Sequence, residues 1–297
     1  LWDNPELGVE QARGEHWLSV PAPGQRQTLS VDVVSGRPEA VVLLPGSTWV
    51  SLYAGLATAL AFVSFLFKVY LLSALGLVIS VALFFRWAWQ GGMRHDPAPV
   101  EAAPGVMLHV HIRAPGAPGW WGMACSLVGN AALYASLLFG YFFLITMAPG
   151  RADAVAFPIS IVEALLMALT PGAAVVTLLQ ASRRTALSSF GLRRGWLLLS
   201  AALLAASAAL WLWPLRHVAE PSIHAHGATV AVMLAYVGLH CAAGLLMVLF
   251  VMARDIAGFI SASRSLEPRV VHLWVVYTFF AAITAAAALY AVSASLQ

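Results

Sequence analysis

Charge is what this sequence has least of. Of its 297 residues only 10% are Asp, Glu, Lys or Arg, while 61% are hydrophobic and the mean hydropathy is +0.82. A soluble domain carries about 25% charge, so this chain has too little polar surface to be covered by water. It reads as an integral membrane protein. Lysine is nearly absent: Lys68 stands alone, and the pI near 9.1 comes from arginine. Those arginines fall between apolar runs, where membrane topology accounts for them better than a nucleic-acid groove does. The only cysteines, Cys125 and Cys241, both lie inside apolar runs. They are expected to pack rather than to form a disulfide or hold a metal. There is no Gly-rich phosphate loop, no Cys-x-x-Cys-His haem attachment and no nucleophile elbow. The first 46 residues contain no apolar signal region. With Leu1 at its head, the chain is expected to be trimmed, or to be the tail of a longer polypeptide.

What is present is length of apolar sequence. Seven runs, at roughly 48–67, 70–90, 120–146, 155–181, 195–215, 224–253 and 270–295, are each long enough to span a membrane. The first two are separated by a few residues around Lys68, which predicts a tight antiparallel hairpin. A polar connection at 91–119, rich in Pro and Gly, divides this pair from the other five. Residues 1–46 are polar and read as an extended, water-exposed segment with one short strand near 28–34. The expected fold class is an all-α membrane protein of seven transmembrane helices grouped two and five. Its segments are 1–46, 47–90, 91–119 and 120–297. If the N-terminal segment is cytoplasmic, thirteen of the sixteen Lys and Arg lie on the cytoplasmic side. Only Lys68, Arg151 and Arg216 lie beyond, as the positive-inside rule requires. Seven spans then place Gln297 outside.

Polar groups within a span cost about 2.5–3.5 kcal/mol when ionised, so each needs a reason. Four are expected as buried polar positions: Asn130, Glu163, His240 and His272. Glu163 is the only carboxylate in a predicted span, and a hydrogen bond near the interface accounts for it more simply than proton exchange does. Asn130 cannot titrate and is expected to bridge helices. Each His is expected as a hydrogen-bonded interior residue. The pairs His109/His111 and His224/His226 would each offer two imidazoles to one ion if extended. Two ligands do not make a site, and no metal or catalytic residue is assigned.

Several segments, in order, carry a resemblance. They are Pro45-Gly46, Phe85-Arg86-Trp87 ending the second run, and Gly122-Met123, Gly129-Asn130 and Leu138-Phe139-Gly140-Tyr141-Phe142-Phe143 in the third. Gly238-Leu239-His240 in the sixth and Val271-His272-Leu273-Trp274 in the seventh complete them. Together, over residues 45–297, they resemble subunit III of haem–copper cytochrome c oxidases. Leu1-Trp2-Asp3 resembles the end of subunit I where subunits I and III are fused. Asn130 stands where the family usually has Glu, and Val275 where it frequently has Asp, so a proton-related role at those positions does not carry over.

The resemblance implies two helices and five arranged as a V with lipid in the cleft, in a bacterial inner membrane. It implies an accessory role: packing on subunit I, preserving it during turnover, and providing a lipid-lined oxygen path. Haem and copper would belong to subunits I and II, and cytochrome c would be the donor to the complex. The copper-A signature and the haem-binding histidines of those subunits are not in this sequence, so no redox cofactor is expected in the chain itself. Bound phospholipid is expected. Arg86, Trp87, Trp120 and Trp121 would anchor its headgroup, or else serve as plain aromatic-belt residues. The alternatives are subunit III of a quinol oxidase, a nitric oxide reductase accessory subunit, or an independent seven-helix transporter. For the last, Pro171-Gly172 is the one candidate helix break.

Overall fold

A computed structural model describes residues 5–6, 9, 26–31, 34–44, 46–92, 94, 98–103, 105–110, 118–147, 157–186, 190–218, 221–262 and 264–295. Leu1-Trp2-Asp3, Pro45 and His111 lie outside the described residues. Among the described residues, six helices are long and apolar enough to cross a membrane, and a further, shorter apolar helix covers Val50–Leu66. The protein is helical and membrane-embedded. Two compact units divide it, Leu1–Arg113 and Ala114–Gln297.

The first unit holds strands β1 (Arg26–Val31) and β2 (Pro38–Leu44), helices α1 (Val50–Leu66) and α2 (Tyr70–Gln90), and strands β3 (Val100–Ala103) and β4 (Val106–Val110). The expectation of one short strand falls short here. The segments before α1 and after α2 fold together into one four-stranded sheet of order β1-β2-β4-β3. β1–β2 and β3–β4 are antiparallel hairpins, joined by a parallel pairing of Ala40 with His109 and Val41 with Val110. Ala40, Val41, Leu108 and Val110 are buried in it. The strand expected near 28–34 overlaps β1; the other three went unread because they are short and flanked by Pro and Gly. Their pairing has a topological consequence. β2 leads into α1 and β4 follows α2, so the two ends of the helical hairpin lie side by side. Thr48 beside α1 reaches Gln90 at the end of α2, 3.5 Å apart.

The hairpin turn is a Schellman motif: the Val69 N–H donates to Ser64 O and the Lys68 N–H to Phe65 O. Lys68 sits at φ +62°, the position glycine normally takes. The two helices touch through small residues, as membrane helices do. Ala54, Ala57, Ala61 and Ser64 are buried on α1, with Gly76 and Ser80 on α2. Ser73 Oγ donates to Ala61 O at 2.8 Å, and the hydroxyls of Thr58 and Ser80 meet at 2.6 Å.

The second unit consists of α3 (Pro118–Met147), α4 (Ile161–Ala186), α5 (Phe190–Leu212), a 3-10 turn (Trp213–His217), α6 (Ala225–Ile256) and α7 (Leu266–Ser295). α4 to α7 close a ring in which each helix packs on two others, and α3 packs on α6 and α7. α3 is buried only along Leu127, Tyr134 and Tyr141, a spacing of seven that marks one narrow seam. α4 runs unbroken through Pro171, so the candidate helix break is no break. A proline has no N–H to donate four residues back, which frees Met167 O. The indole Nε1–H of Trp211, itself fully buried, donates to that oxygen at 3.0 Å. Beside it, Gly172 leaves room for the Phe279 ring: a Cβ there would lie 2.6 Å from Phe279 Cε2.

This arrangement yields a double-mutant test. Trp211→Phe keeps an aromatic ring but loses the indole N–H and strands a buried carbonyl, and should destabilise the protein by about 1–3 kcal/mol. In a Pro171→Ala background the helix supplies its own N–H, and the cost should shrink. Equal costs in both backgrounds, measured by unfolding in mixed detergent micelles, would show that the indole does not replace the missing bond.

Candidate functional site

Polar side chains inside the second unit gather along the α3–α6–α7 seam. Tyr134 of α3 donates its hydroxyl to Ala281 O of α7 at 2.8 Å and meets Thr284 Oγ1 at 2.9 Å. Its ring stacks on Tyr236 of α6, centroids 5.1 Å apart. Tyr236 in turn packs against His240, one turn on, at 4.1 Å, and His240 stacks flat on Trp274 of α7 at 4.9 Å and 11°. Four rings from three helices thus form a continuous ladder. Aromatic pairs of this kind add about 0.5–1.5 kcal/mol each beyond the area they bury.

The hydrogen bonds orient the ladder. A carbonyl only accepts, so the contact of His240 Nδ1 with Tyr236 O at 2.8 Å puts the proton on Nδ1. Nε2 is then the lone-pair nitrogen of the neutral ring; it is buried and has no hydrogen-bond partner among the described residues. Trp274 Nε1 donates to His240 O at 3.0 Å. Tyr236 donates to Asn130 O at 3.2 Å, so the 2.5 Å contact between the two phenols is Tyr277 donating to Tyr236. Tyr236→Phe removes both links between helices. A cost of about 0.6–1.7 kcal/mol is expected in detergent unfolding, and no change would show that the Tyr236 hydroxyl does not help to hold the seam.

The positions singled out in the sequence fare differently. His240 is in the ladder, half-buried. Asn130 is half-buried beside it, but its backbone carbonyl rather than its amide receives the bond from α6. His272 is half-buried on α7, its Nε2 enclosed without a partner among the described residues. Glu163 is not buried. α4 begins at Ile161, later than the apolar run, so Glu163 falls in the first turn and is exposed. There it forms a capping box with Ser160: Ser160 N–H and Oγ–H donate to Glu163 Oε2 at 2.8 and 2.7 Å, and Glu163 N–H donates to Ser160 Oγ at 3.2 Å. The Ser-x-x-Glu pattern could have revealed this in the sequence.

Arg86 and Trp87 are exposed toward the C-terminal end of α2, Trp87 stacked on Phe84. Trp120 is half-buried and Trp121 exposed at the start of α3, their rings edge to face at 5.0 Å. His109 is exposed on β4. His224 is exposed just before α6, while His226 turns inward to stack on Tyr141, so that pair does not share a face. No group of three or more metal-ligating side chains occurs among the described residues.

A second polar cluster escaped sequence reading. Asp255, in the last turn of α6, is fully buried and pairs with Arg193 and, at 3.0 Å, with Arg194 in the first turns of α5. Arg254, also buried, pairs with Glu267 of α7 at 2.7 Å. Arg264 donates to Gly258 O and Phe259 O, which cap the end of α6. These arginines are therefore structural as well as topological. No protein-family model matches the chain, and no curated protein matches it.

Proposed function

We propose that this chain is subunit III, or the subunit III part of a fused subunit I and III, of a proton-pumping haem–copper cytochrome c oxidase. The observation that carries the reading is the order and spacing of the matched segments along the apolar helices. Asn130 lies in the third helix, His240 in the sixth and His272 in the seventh. A helical hairpin whose ends lie side by side, followed by five further helices, fits the grouping of two and five. With thirteen of sixteen cationic residues on the side of the N-terminal segment, that side is cytoplasmic and the C-terminus periplasmic, in a bacterial inner membrane. The chain packs on subunit I, lends it stability and lines a lipid-filled oxygen path. Electrons from cytochrome c reach oxygen through haem and copper in subunits I and II. Arg86 and Trp87 on the hairpin, and Trp120 and Trp121 at the start of α3, are candidate anchors for phospholipid headgroups, Arg on phosphate and Trp at the interface.

Gentle detergent purification through a tag on Gln297, followed by an optical spectrum and intact masses, tests the reading. Haem bands with copurifying subunits I and II, or one long polypeptide containing both I and III, are expected. A colourless chain that stays alone in several mild detergents would overturn it. Copurification of an oxidase without a copper-A subunit would transfer the assignment to the quinol-oxidising relatives.

A further inference from the structure

Near the end of the second unit that carries the 3-10 turn, an open groove of about 850 Å³ lies between α4 and α5. Its floor and walls are apolar: Phe157, Leu166 and Met167 on one side, Ala206, Ala209 and Leu210 on the other. The alanines make the hollow, since larger side chains on that face of α5 would close it. Both helices are apolar spans, so the groove opens toward lipid rather than water. Its rim is amphipathic. Trp213 and His217 line one lip, and the Arg216 guanidinium lies 3.0 Å over the Trp213 ring with Nε donating to His217 Nε2 at 3.1 Å. Glu163 lines the opposite lip.

We propose that this groove is a binding site for one phospholipid with an amine-bearing, zwitterionic headgroup. One acyl chain lies between α4 and α5. The phosphate meets Arg216, whose Nε is already engaged and whose terminal nitrogens form the donor fork suited to phosphate. The headgroup amine meets Glu163. A cation on one lip and an anion on the other match a zwitterion and disfavour a purely anionic lipid. Trp213 sits where an indole belongs, at the boundary of hydrocarbon and water. The inference needs only the membrane-spanning fold and does not rest on the oxidase assignment.

The test uses the full chain, with any subunits that copurify, in phosphatidylcholine vesicles doped with a phosphatidylethanolamine carrying a photoreactive group near one chain terminus. Crosslinks are expected on peptides containing Leu166 and Ala209. Ala209→Phe, which fills the hollow, should abolish them, while Val128→Phe, on the exposed face of α3, should not. Arg216→Ala should lower the labelling roughly tenfold at limiting probe. Glu163→Gln keeps the capping box and should remove the preference for the ethanolamine probe over a choline probe. Labelling indifferent to Ala209→Phe, or spread evenly over all helices, would overturn the site. Labelling by a photoreactive fatty acid that matches the phospholipid and ignores Arg216→Ala would overturn the headgroup assignment.

Discussion

Asp255→Ala should cost about 3–5 kcal/mol of stability, the penalty for leaving a buried charge without its partner. The carboxylate has no solvent exposure, and the Arg193 guanidinium bonded to it is nearly as enclosed, so neither can turn to water. Arg194 is partly exposed and can rehydrate, so its share of the loss is small. The second half of the test separates charge from packing. Arg193→Met combined with Asp255→Ala removes both ions and should recover much of the loss, because an apolar side chain tolerates that environment. Unfolding in mixed micelles measures both. A loss under about 1 kcal/mol for the single variant would mean that water reaches the pair.

Gly76→Leu should open the α1–α2 hairpin. Even a Cβ at Gly76 would stand 2.8 Å from the Ala61 nitrogen and 3.2 Å from Ala57 O. Both are backbone atoms that cannot move aside without moving the helix. Membrane helices gain little from hydrophobicity when they associate, so contact distance decides whether they hold. Cysteines at Thr58 and Ser80, whose hydroxyls touch, should form a disulfide readily in the parent chain with Cys125 and Cys241 replaced. The same pair should crosslink poorly with Leu at position 76. Undiminished crosslinking would show that the helices are held by their turn and by the sheet, not by their crossing.

The helices themselves were legible because a span announces itself in length and hydropathy: Lys68 marked the hairpin turn, and α2 coincided with its apolar run. Boundaries were less legible. The run that includes α4 begins before the helix does, because apolar residues such as Phe157 and Ile159 pack without being helical. That offset turned Glu163 from an expected buried carboxylate into an exposed capping residue. α6 and α7 failed the other way. Both extend past their apolar runs, so Asp255 and Glu267 looked like loop residues although they lie in terminal helical turns. The sheet was hidden for another reason: β2 and β4 pair across an intervening helical hairpin, and no local pattern encodes a partner that distant.

The candidate site divides along the same line. His240 and His272 could be picked out by residue type, since an imidazole inside an apolar helix is conspicuous. Tyr134, Tyr236 and Tyr277 could not, because tyrosine is ordinary in such helices and only the crossing of α3, α6 and α7 brings their rings and hydroxyls together. By itself the sequence determined that this protein lives in a membrane, how many apolar runs it has and where its hairpin turns. Those properties follow from hydropathy and chain length, which are sums over neighbouring residues. The tertiary structure alone decided which carbonyl Trp211 repairs, which arginines Asp255 neutralises and which rings stack on His240. Each depends on two residues far apart in sequence meeting within a few ångströms, and only packing sets that distance.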